Sequence, residues 1–389
     1  KVLWLALLEG AVCSYPTTLA AIDTLRPLQV RMPGAVSFIT GKIMTIDLSA
    51  GLDINREYAL PSCPEQDGFA DASNMWILDD TGRFGLPRVA MEAASPDWDN
   101  GRWASVNLTF SDGRIFSLRD YQASGLETPF DEDGKSSRFH AGPLEFRVQE
   151  PFKRWTLAFE GQAAEMTSQQ QIDGASSGTG DSIDLKINVE ATMAVPAWSP
   201  GVFLEEGLAK ILTTQEREFM GGKRYEQLFK AKGSVKVGSQ EYNFTGTGLR
   251  IRRRGLRKYE EFWGHCWQSA LFPSGRGFGY IAYPPGPDGK PSYSEGYIFE
   301  GDGTLIPARV IQAPWMNTLV PKGDDASLVL QTAKSRVVIK GTTAYGNFEL
   351  GGMPVKIPAL QQAGVLYEWD GEKAYGMMER STPHEMLIR

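Results

Sequence analysis

Few residues in this chain are equipped for acid–base chemistry, and His265 has the most informative surroundings. The chain has three histidines, His140, His265 and His384. His265 lies in the run Tyr259-Glu-Glu-Phe-Trp-Gly-His-Cys-Trp-Gln268. Read as a β-strand, the two-residue period puts Glu261, Trp263, His265 and Trp267 on one face. An acid, an imidazole and two indoles side by side suit general acid–base work in an apolar cavity. The indoles exclude water and steady a developing cation. A carboxyl among them is pushed towards its neutral, proton-donating form. The plain alternative is a core histidine with one hydrogen bond and two tryptophans that simply pack. Glu260 falls on the opposite face and ranks below Glu261, although a β-bulge would exchange the two. Cys266 also faces away from His265, so a Cys–His pair is poor geometry.

Two further groups bear on the same chemistry. The segment Arg250-Ile-Arg-Arg-Arg-Gly-Leu-Arg257 holds five arginines in eight positions. Arg250, Arg252 and Arg254 share a strand face. They are expected to pair with Glu260, Glu261 or other carboxylates at a barrel mouth, or, for Arg250 or Arg252, to orient the polar end of a substrate. Glu295, flanked on its face by Tyr293 and Tyr297, is the alternative acid. Tyr280, Tyr293 and Trp315, with Trp76, Arg88 and Trp103 earlier in the chain, are candidate cavity-lining residues. Each also fits plain core or rim packing.

The elements that must position these groups are mostly strands. In Trp103–Phe110, Ala104, Val106, Leu108 and Phe110 alternate with Trp103, Ser105, Asn107 and Thr109. The turn Ser111-Asp-Gly113 then signals a hairpin. Ser182–Met193 alternates in the same way, as half-buried antiparallel strands with one wet face do. After residue 222 strands are expected over 225–237, 242–251, 261–272, 276–283, 294–299, 307–312, 326–331, 335–341, 345–350 and 364–369, the last ending at the turn Trp369-Asp-Gly371. Helices are expected over 3–11 and 203–212, and residues 161–182 read as a loop. This rhythm fits a mostly β protein of barrels or sandwiches. It divides into an N-terminal extension or cap (1–65), a first β-domain (66–218) and a second (219–389).

Composition narrows the function. The 389 residues carry 40 Lys+Arg against 47 Asp+Glu, a formal charge of −7, and 42% are apolar. A large core is within reach. The acidic balance disfavours a nucleic-acid partner. With 42 glycines and 23 prolines the chain is rich in turns. Three scattered cysteines with no C-x-x-C spacing argue against a zinc ribbon or a disulfide scaffold, and for a reducing, cytoplasmic setting. No apolar run is long enough for a transmembrane segment. The apolar start, Lys1 to Cys13, is interrupted by Glu9 and lacks a cleavage signature, so it reads as a packed helix or strand rather than a secretory leader. No G-x-S-x-G elbow, H-E-x-x-H motif or P-loop occurs, so neither cofactor nor metal is expected.

Several segments resemble a known family. Ala141-Gly-Pro-Leu-Glu-Phe-Arg-Val-Gln-Glu-Pro-Phe-Lys-Arg-Trp-Thr-Leu-Ala-Phe-Glu-Gly161 resembles the pattern closing the first domain in the carotenoid 1,2-hydratase and AttH-like group. Arg224-Tyr-Glu-Gln227 followed by Gly246-Thr-Gly-Leu-Arg250 resembles the entry to that group's second domain. Trp263-Gly264 with Trp267-Gln268 matches part of a Ser-Trp-Gly-x-Arg-x-Trp-type motif. The resemblance covers roughly residues 70–380. It implies two tandem lipocalin-like antiparallel β-barrels and an apolar ligand within or between them. Relatives often place Asp-His-Ser before the Trp-Gly and an Arg soon after, and here that arrangement differs, so their catalytic assignments do not transfer. Such folds host hydration, isomerisation and cyclisation of isoprenoid or polyketide molecules as well as plain binding.

Residues and resemblance together lead to one expectation. The protein is a cofactor-independent hydratase, isomerase or cyclase for a small hydrophobic terpenoid, steroid or polyketide. Glu261 and His265 are its acid–base pair, with Glu295 as the alternative acid. Trp263, Trp267 and Trp315 shape the pocket. The competing expectations are a non-catalytic carrier of the same ligand and a structural protein whose barrels are filled by aromatics.

Overall fold

The computed structural model describes residues 46–126, 128–203, 223–256, 264–285, 293–351 and 359–388. The helix expected over 3–11, nearly all of that expected over 203–212, and the site candidates Glu261 and Trp263 lie outside the described residues.

Strands dominate, as the alternation indicates. The first eight are β1 (Phe69–Asp79), β2 (Phe84–Ala94), β3 (Arg102–Phe110), β4 (Arg114–Ala123), β5 (Arg138–Ala141), β6 (Leu144–Glu150), β7 (Arg154–Thr167) and β8 (Asp181–Met193). The long hairpin β9 (Lys223–Val237) and β10 (Gln240–Leu256) follows. The sheet order is β4-β3-β2-β1-β10-β9-β8-β7-β6-β5. Arg114–Ser117 of β4 pair with Ala164–Thr167 of β7, which closes eight of these strands into a ring. The β5–β6 hairpin pairs along the first half of β7. Within 161–182 a loop is only part of the answer: β7 runs on to Thr167, and Thr167 and Gln170 form a capping box for the short helix α1 (Ser168–Ile172).

The remaining strands are β11 (His265–Leu271), β12 (Gly277–Ala282), β13 (Ser294–Phe299), β14 (Leu305–Gln312), β15 (Leu328–Thr332), β16 (Arg336–Glu349), β17 (Ala359–Trp369) and β18 (Glu372–Thr382). They make a closed antiparallel barrel in which β18 returns to β11. The fold is therefore two tandem antiparallel barrels, and the boundary expected near 219 moves. Residues 223–256 lie between β8 and β1 and complete the first barrel, so the second starts at His265. The physical reason is that both faces of the β9–β10 hairpin are buried over 224–229 and 248–252. Phe229, Val235 and Phe244 fill the first barrel, while Leu228, Leu249 and Ile251 join an apolar layer outside it. Alternation alone does not reveal which barrel such a hairpin serves.

Side-chain parity defines three apolar layers. Met75, Ile77, Val106, Leu108 and Ile187 fill the first barrel. Phe278, Ile298, Leu330, Ile339 and Val365 fill the second. The opposite parity of the same strands, including Trp76, Leu78, Trp267, Leu271, Tyr345 and Met377, forms a layer between the barrels. Tyr345 acts as a wedge there. Its hydroxyl donates to the Phe84 carbonyl at 3.0 Å, and a Cβ added at either Gly85 or Gly364 would lie 2.3 Å from its side chain. Among the described residues no helix is long and apolar enough to cross a membrane.

Candidate functional site

The geometry around His265 follows from strand register. His265 and Trp267 stand on the face of β11 that turns away from the second barrel's interior, towards the first barrel. His265 is opposite Ser381 on β18, and Trp267 is opposite Glu379. Directly paired residues in an antiparallel ladder share a face. All four side chains therefore lie together, and all are buried. The imidazole bridges two partners, with Nδ1 2.7 Å from Ser381 Oγ and Nε2 3.2 Å from Glu379 Oε1.

The first barrel completes this group with Arg88. Pairing of β2 shifts register on both sides, between Met75 and Ile77 of β1 and between Gly85 and Ala90 towards β3. Within this bulge Arg88 adopts φ +70°, a left-handed conformation that is strained for a residue with a side chain. Bulges next to active sites commonly re-aim a side chain. Here the guanidinium lies 5.2 Å from the Trp103 ring centroid and 5.9 Å from that of Trp76. Its Nη1 is 3.5 Å from Glu379 Oε2. Gln362 Nε2 donates to the same oxygen at 2.6 Å, and Asn107 Nδ2 donates to Gln362 Oε1 at 3.4 Å. Burial alone would raise the Glu379 carboxyl. The Arg88 charge and then the His265 hydrogen bond outweigh it and bring the pKa down to about 2. Glu379 is thus a carboxylate that only accepts. Nε2 of His265 then carries the hydrogen directed at Glu379, and Nδ1 faces the Ser381 hydroxyl. Ser381 Oγ in turn accepts the His265 backbone N–H at 3.2 Å.

A second acidic group borders the same layer. Trp267 lies edge-on to Trp76 at 4.7 Å, and its indole N–H donates to Glu226 Oε2 at 3.1 Å. Glu226 is also paired with Arg224, whose guanidinium covers the Trp267 ring at 4.6 Å. Glu295, fully buried on β13, accepts from Trp198 Nε1 at 3.1 Å, from the Gly201 backbone at 2.9 Å and from the Tyr293 hydroxyl at 3.1 Å. Burial outweighs these donors and pushes its pKa up to about 7. The Glu295 and Glu379 carboxyls are thus driven in opposite directions, on one row of the barrel ladder with Ile281 and Trp267 between them.

The other sequence candidates take different places. Arg250 and Arg252 point into the first barrel. Arg250 pairs with Glu57 at 2.7 Å and Arg252 with Asp71 at 2.7 Å, all four buried. Trp155 Nε1, the Phe152 backbone and Tyr225 also donate to Glu57. Arg252 and Arg254 donate to the Tyr58 carbonyl. These arginines therefore fasten the segment 46–60 across the first barrel's end, rather than lying exposed to orient a substrate. Tyr280 is inside the second barrel, bonded to Gln268 and 3.2 Å from Cys266 Sγ. Burial raises the Cys266 thiol to about 11. Trp315 is 36% exposed, beside Pro314, whose carbonyl is held by Arg380. Trp76, Trp267 and His265 are thus brought together, with Tyr293 and Glu295 at the border of the same layer. Glu379, Gln362, Asn107, Ser381 and Glu226 were not among the candidates. Among the described residues no three His, Cys, Asp or Glu side chains gather as a metal site.

Residues 74–384 match the sequence model of a family described as a domain of unknown function, DUF7064. The chain belongs to this family. The DUF7064 match begins within β1 and ends just beyond β18, so it takes in both barrels and the layer between them. No curated protein matches the sequence. Among solved structures, a candidate AttH protein from Nitrosomonas europaea aligns with a TM-score of 0.54 at 13% identity, over 83% of this chain and 99% of that one. CghA aligns with a TM-score of 0.48 at 11% identity, over 84% of this chain and 96% of that one. Kievitone hydratase from Nectria haematococca aligns with a TM-score of 0.48 at 9% identity, over 87% and 96% respectively. The first of these likenesses shows that the DUF7064 chain has the tandem lipocalin-like fold implied by its resemblance to the carotenoid hydratase and AttH-like group.

Proposed function

We propose that the layer between the barrels is the site of a cofactor-independent acid–base enzyme for a small hydrophobic molecule, acting by hydration, isomerisation or cyclisation. The observation that carries this reading is the Arg88–Glu379–His265–Ser381 chain, set against Trp76, Trp103 and Trp267. The carboxylate of Glu379 supports a positive charge on His265 as the ring takes up a proton. Both ring nitrogens are engaged, so proton exchange with a ligand runs through the Ser381 hydroxyl, which passes its proton to Nδ1 as it receives one. Glu295, ionising near neutrality, is the group suited to give a proton in return. Trp76 and Trp267 exclude water and steady a developing cation. A terpenoid, steroid or polyketide skeleton fits such apolar walls, and the free thiols Cys63 and Cys266 suit a reducing cytoplasm.

A carrier of the same kind of ligand is favoured by one observation, that His265 already has protein partners on both nitrogens. One experiment separates the two. Native mass spectrometry and extraction of freshly purified protein identify the bound hydrophobe, and its turnover is then followed in the parent, His265→Ala and Glu379→Gln. Loss of about 10²–10⁴-fold in folded variants is expected for acid–base catalysis. Full turnover by both folded variants overturns the mechanism, and a hydrophobe bound but never converted by the parent makes the protein a carrier.

A further inference from the structure

Several polar atoms around the Arg88–Glu379 pair are buried with no hydrogen-bond partner among the described residues. They include Trp76 Nε1, Asn74 Oδ1 and Asn107 Oδ1, on residues 1%, 6% and 0% exposed, together with Trp103 Nε1 and Asn347 Oδ1. Asn74 and Trp76 share the outward parity of β1, and Asn107 has the outward parity of β3. The Asn107 amide is oriented by its own contacts, because Nδ2 donates to the Pro87 carbonyl at 3.2 Å and to Gln362. Its oxygen is therefore the free end. Trp76 lies against Trp267 and beside Arg88, and Asn107 reaches Glu379 through Gln362. Buried polar atoms without partners are rare in folded proteins and call for an explanation. Indole donors and amide acceptors on these outward faces, beside aromatic walls, describe a ligand with oxygen of two kinds.

We infer that the ligand of this site is an oxygenated apolar molecule, presenting a carbonyl-type acceptor to the Trp76 indole N–H and a hydroxyl to the asparagine oxygens. The inference rests on the reading of the inter-barrel layer as a ligand site and narrows its substrate class. Pure hydrocarbons are disfavoured, since they would leave these atoms buried and unpaired. The hydroxyl finds an acceptor in Asn107 Oδ1, one step along the Gln362 bridge from Glu379. The carbonyl lies by Trp76, near the guanidinium.

The test uses three two-ring probes of similar size on the full chain, with dissociation constants from isothermal titration calorimetry. Tetralin has no oxygen, 1-tetralone has the carbonyl alone, and 6-hydroxy-1-tetralone has a carbonyl and a hydroxyl at opposite ends. The expected order of affinity is hydroxytetralone, tetralone, tetralin, with about tenfold between the ends of the series, as one or two net hydrogen bonds give. Trp76→Phe removes the indole donor and keeps an aromatic ring. It is expected to weaken both ketones several-fold more than it weakens tetralin. Equal binding of all three probes overturns the inference and leaves the ligand site standing. So does a loss of tetralin affinity in Trp76→Phe as large as that of the ketones. Absence of binding by every probe overturns the ligand site itself, and the inference with it.

Discussion

Replacing Glu295 with glutamine tests the proton-donor assignment without any substrate. The carboxyl titrates at about 7 in the folded protein against 4.5 for an unperturbed glutamate, because burial outweighs the N–H and O–H groups directed at it. As pH rises the unfolded chain ionises first and is favoured. Below pH 4.5 the group is neutral in both states and contributes nothing. Between 4.5 and about 7 the penalty on the fold grows, and above 7 it is constant. Each tenfold difference in proton affinity between the folded and unfolded chain is worth about 1.4 kcal/mol, so the penalty levels off at about 3 kcal/mol. Glutamine does not ionise. Its oxygen still accepts from Trp198 or Gly201, and its amide can donate to the Tyr293 oxygen. Urea denaturation of parent and variant, followed by tryptophan fluorescence at a series of pH values, gives the difference between their unfolding free energies. Titrations of distant groups cancel in that difference. It should move in favour of the variant by about 3 kcal/mol between roughly pH 4.5 and 8.5. A difference that stays flat within about 0.5 kcal/mol over that range would mean that Glu295 ionises normally and is no reservoir of a proton near neutrality.

Other substitutions probe the surrounding framework. Glu379, held at about 2, has the opposite linkage: its contribution is complete above 4.5 and disappears as pH falls towards 2. Glu379→Gln should therefore lower stability at neutral pH and narrow its gap to the parent in acid, read as free energies of unfolding at pH 7 and 3. Arg250→Met strands the Glu57 carboxylate inside the first barrel. It should cost about 3–5 kcal/mol in urea unfolding, with part regained by adding Glu57→Gln. Gly85→Ala drives a methyl group into the Tyr345 side chain at 2.3 Å and should cost about 1–3 kcal/mol, measured in the same way.

The sequence shows why the fold is legible and the site only half so. Strand parity in Trp103–Phe110 survives intact, with Ala104, Val106, Leu108 and Phe110 inside the first barrel and Asn107 outside. The same parity placed His265 and Trp267 together. The acid next to them comes from β18, beyond the turn at Trp369-Asp-Gly371 where the expected strands stopped. A signal was present in Met377-Met-Glu-Arg-Ser-Thr382, where two charged residues sit among apolar and small ones in what proves a buried strand. Arg88 depends on a bulge, and a bulge is a register event between strands that no single segment announces. The arginine run makes ion pairs, but with carboxylates other than the Glu260 and Glu261 that its sequence neighbourhood suggests. Its partners, Glu57 and Asp71, lie almost 200 residues upstream and only topology brings them near.

The proposed location of the site rests on what occupies each barrel. The first interior is filled at one end by Glu57, Arg250, Gln227 and Tyr225, whose mutual hydrogen bonds leave a ligand little reason to displace them. The second contains its own polar network, with Tyr280 donating to Gln268, and Gln268 Nε2 to the Tyr367 hydroxyl at 2.8 Å. Both interiors thus carry polar networks of their own. The layer between them combines different features. There the two carboxyls shifted in opposite directions, a strained arginine and partnerless polar atoms share the outward faces of the strands. Such a site exists only while the two barrels hold their mutual position, because Arg88 comes from one and Glu379 from the other. Tyr345, locked over Gly85 and Gly364 and bonded to Phe84, sets that position. A change there that loosens the contact without unfolding either barrel should raise the Glu379 pKa by moving Arg88 away. Losing the charge pair at 3.5 Å removes the largest force opposing burial. Acid titration of Tyr345→Phe, which removes only the hydroxyl, is the direct measurement. If acid unfolding of that variant follows the parent, the barrels are held by their apolar layer and not by this tyrosine.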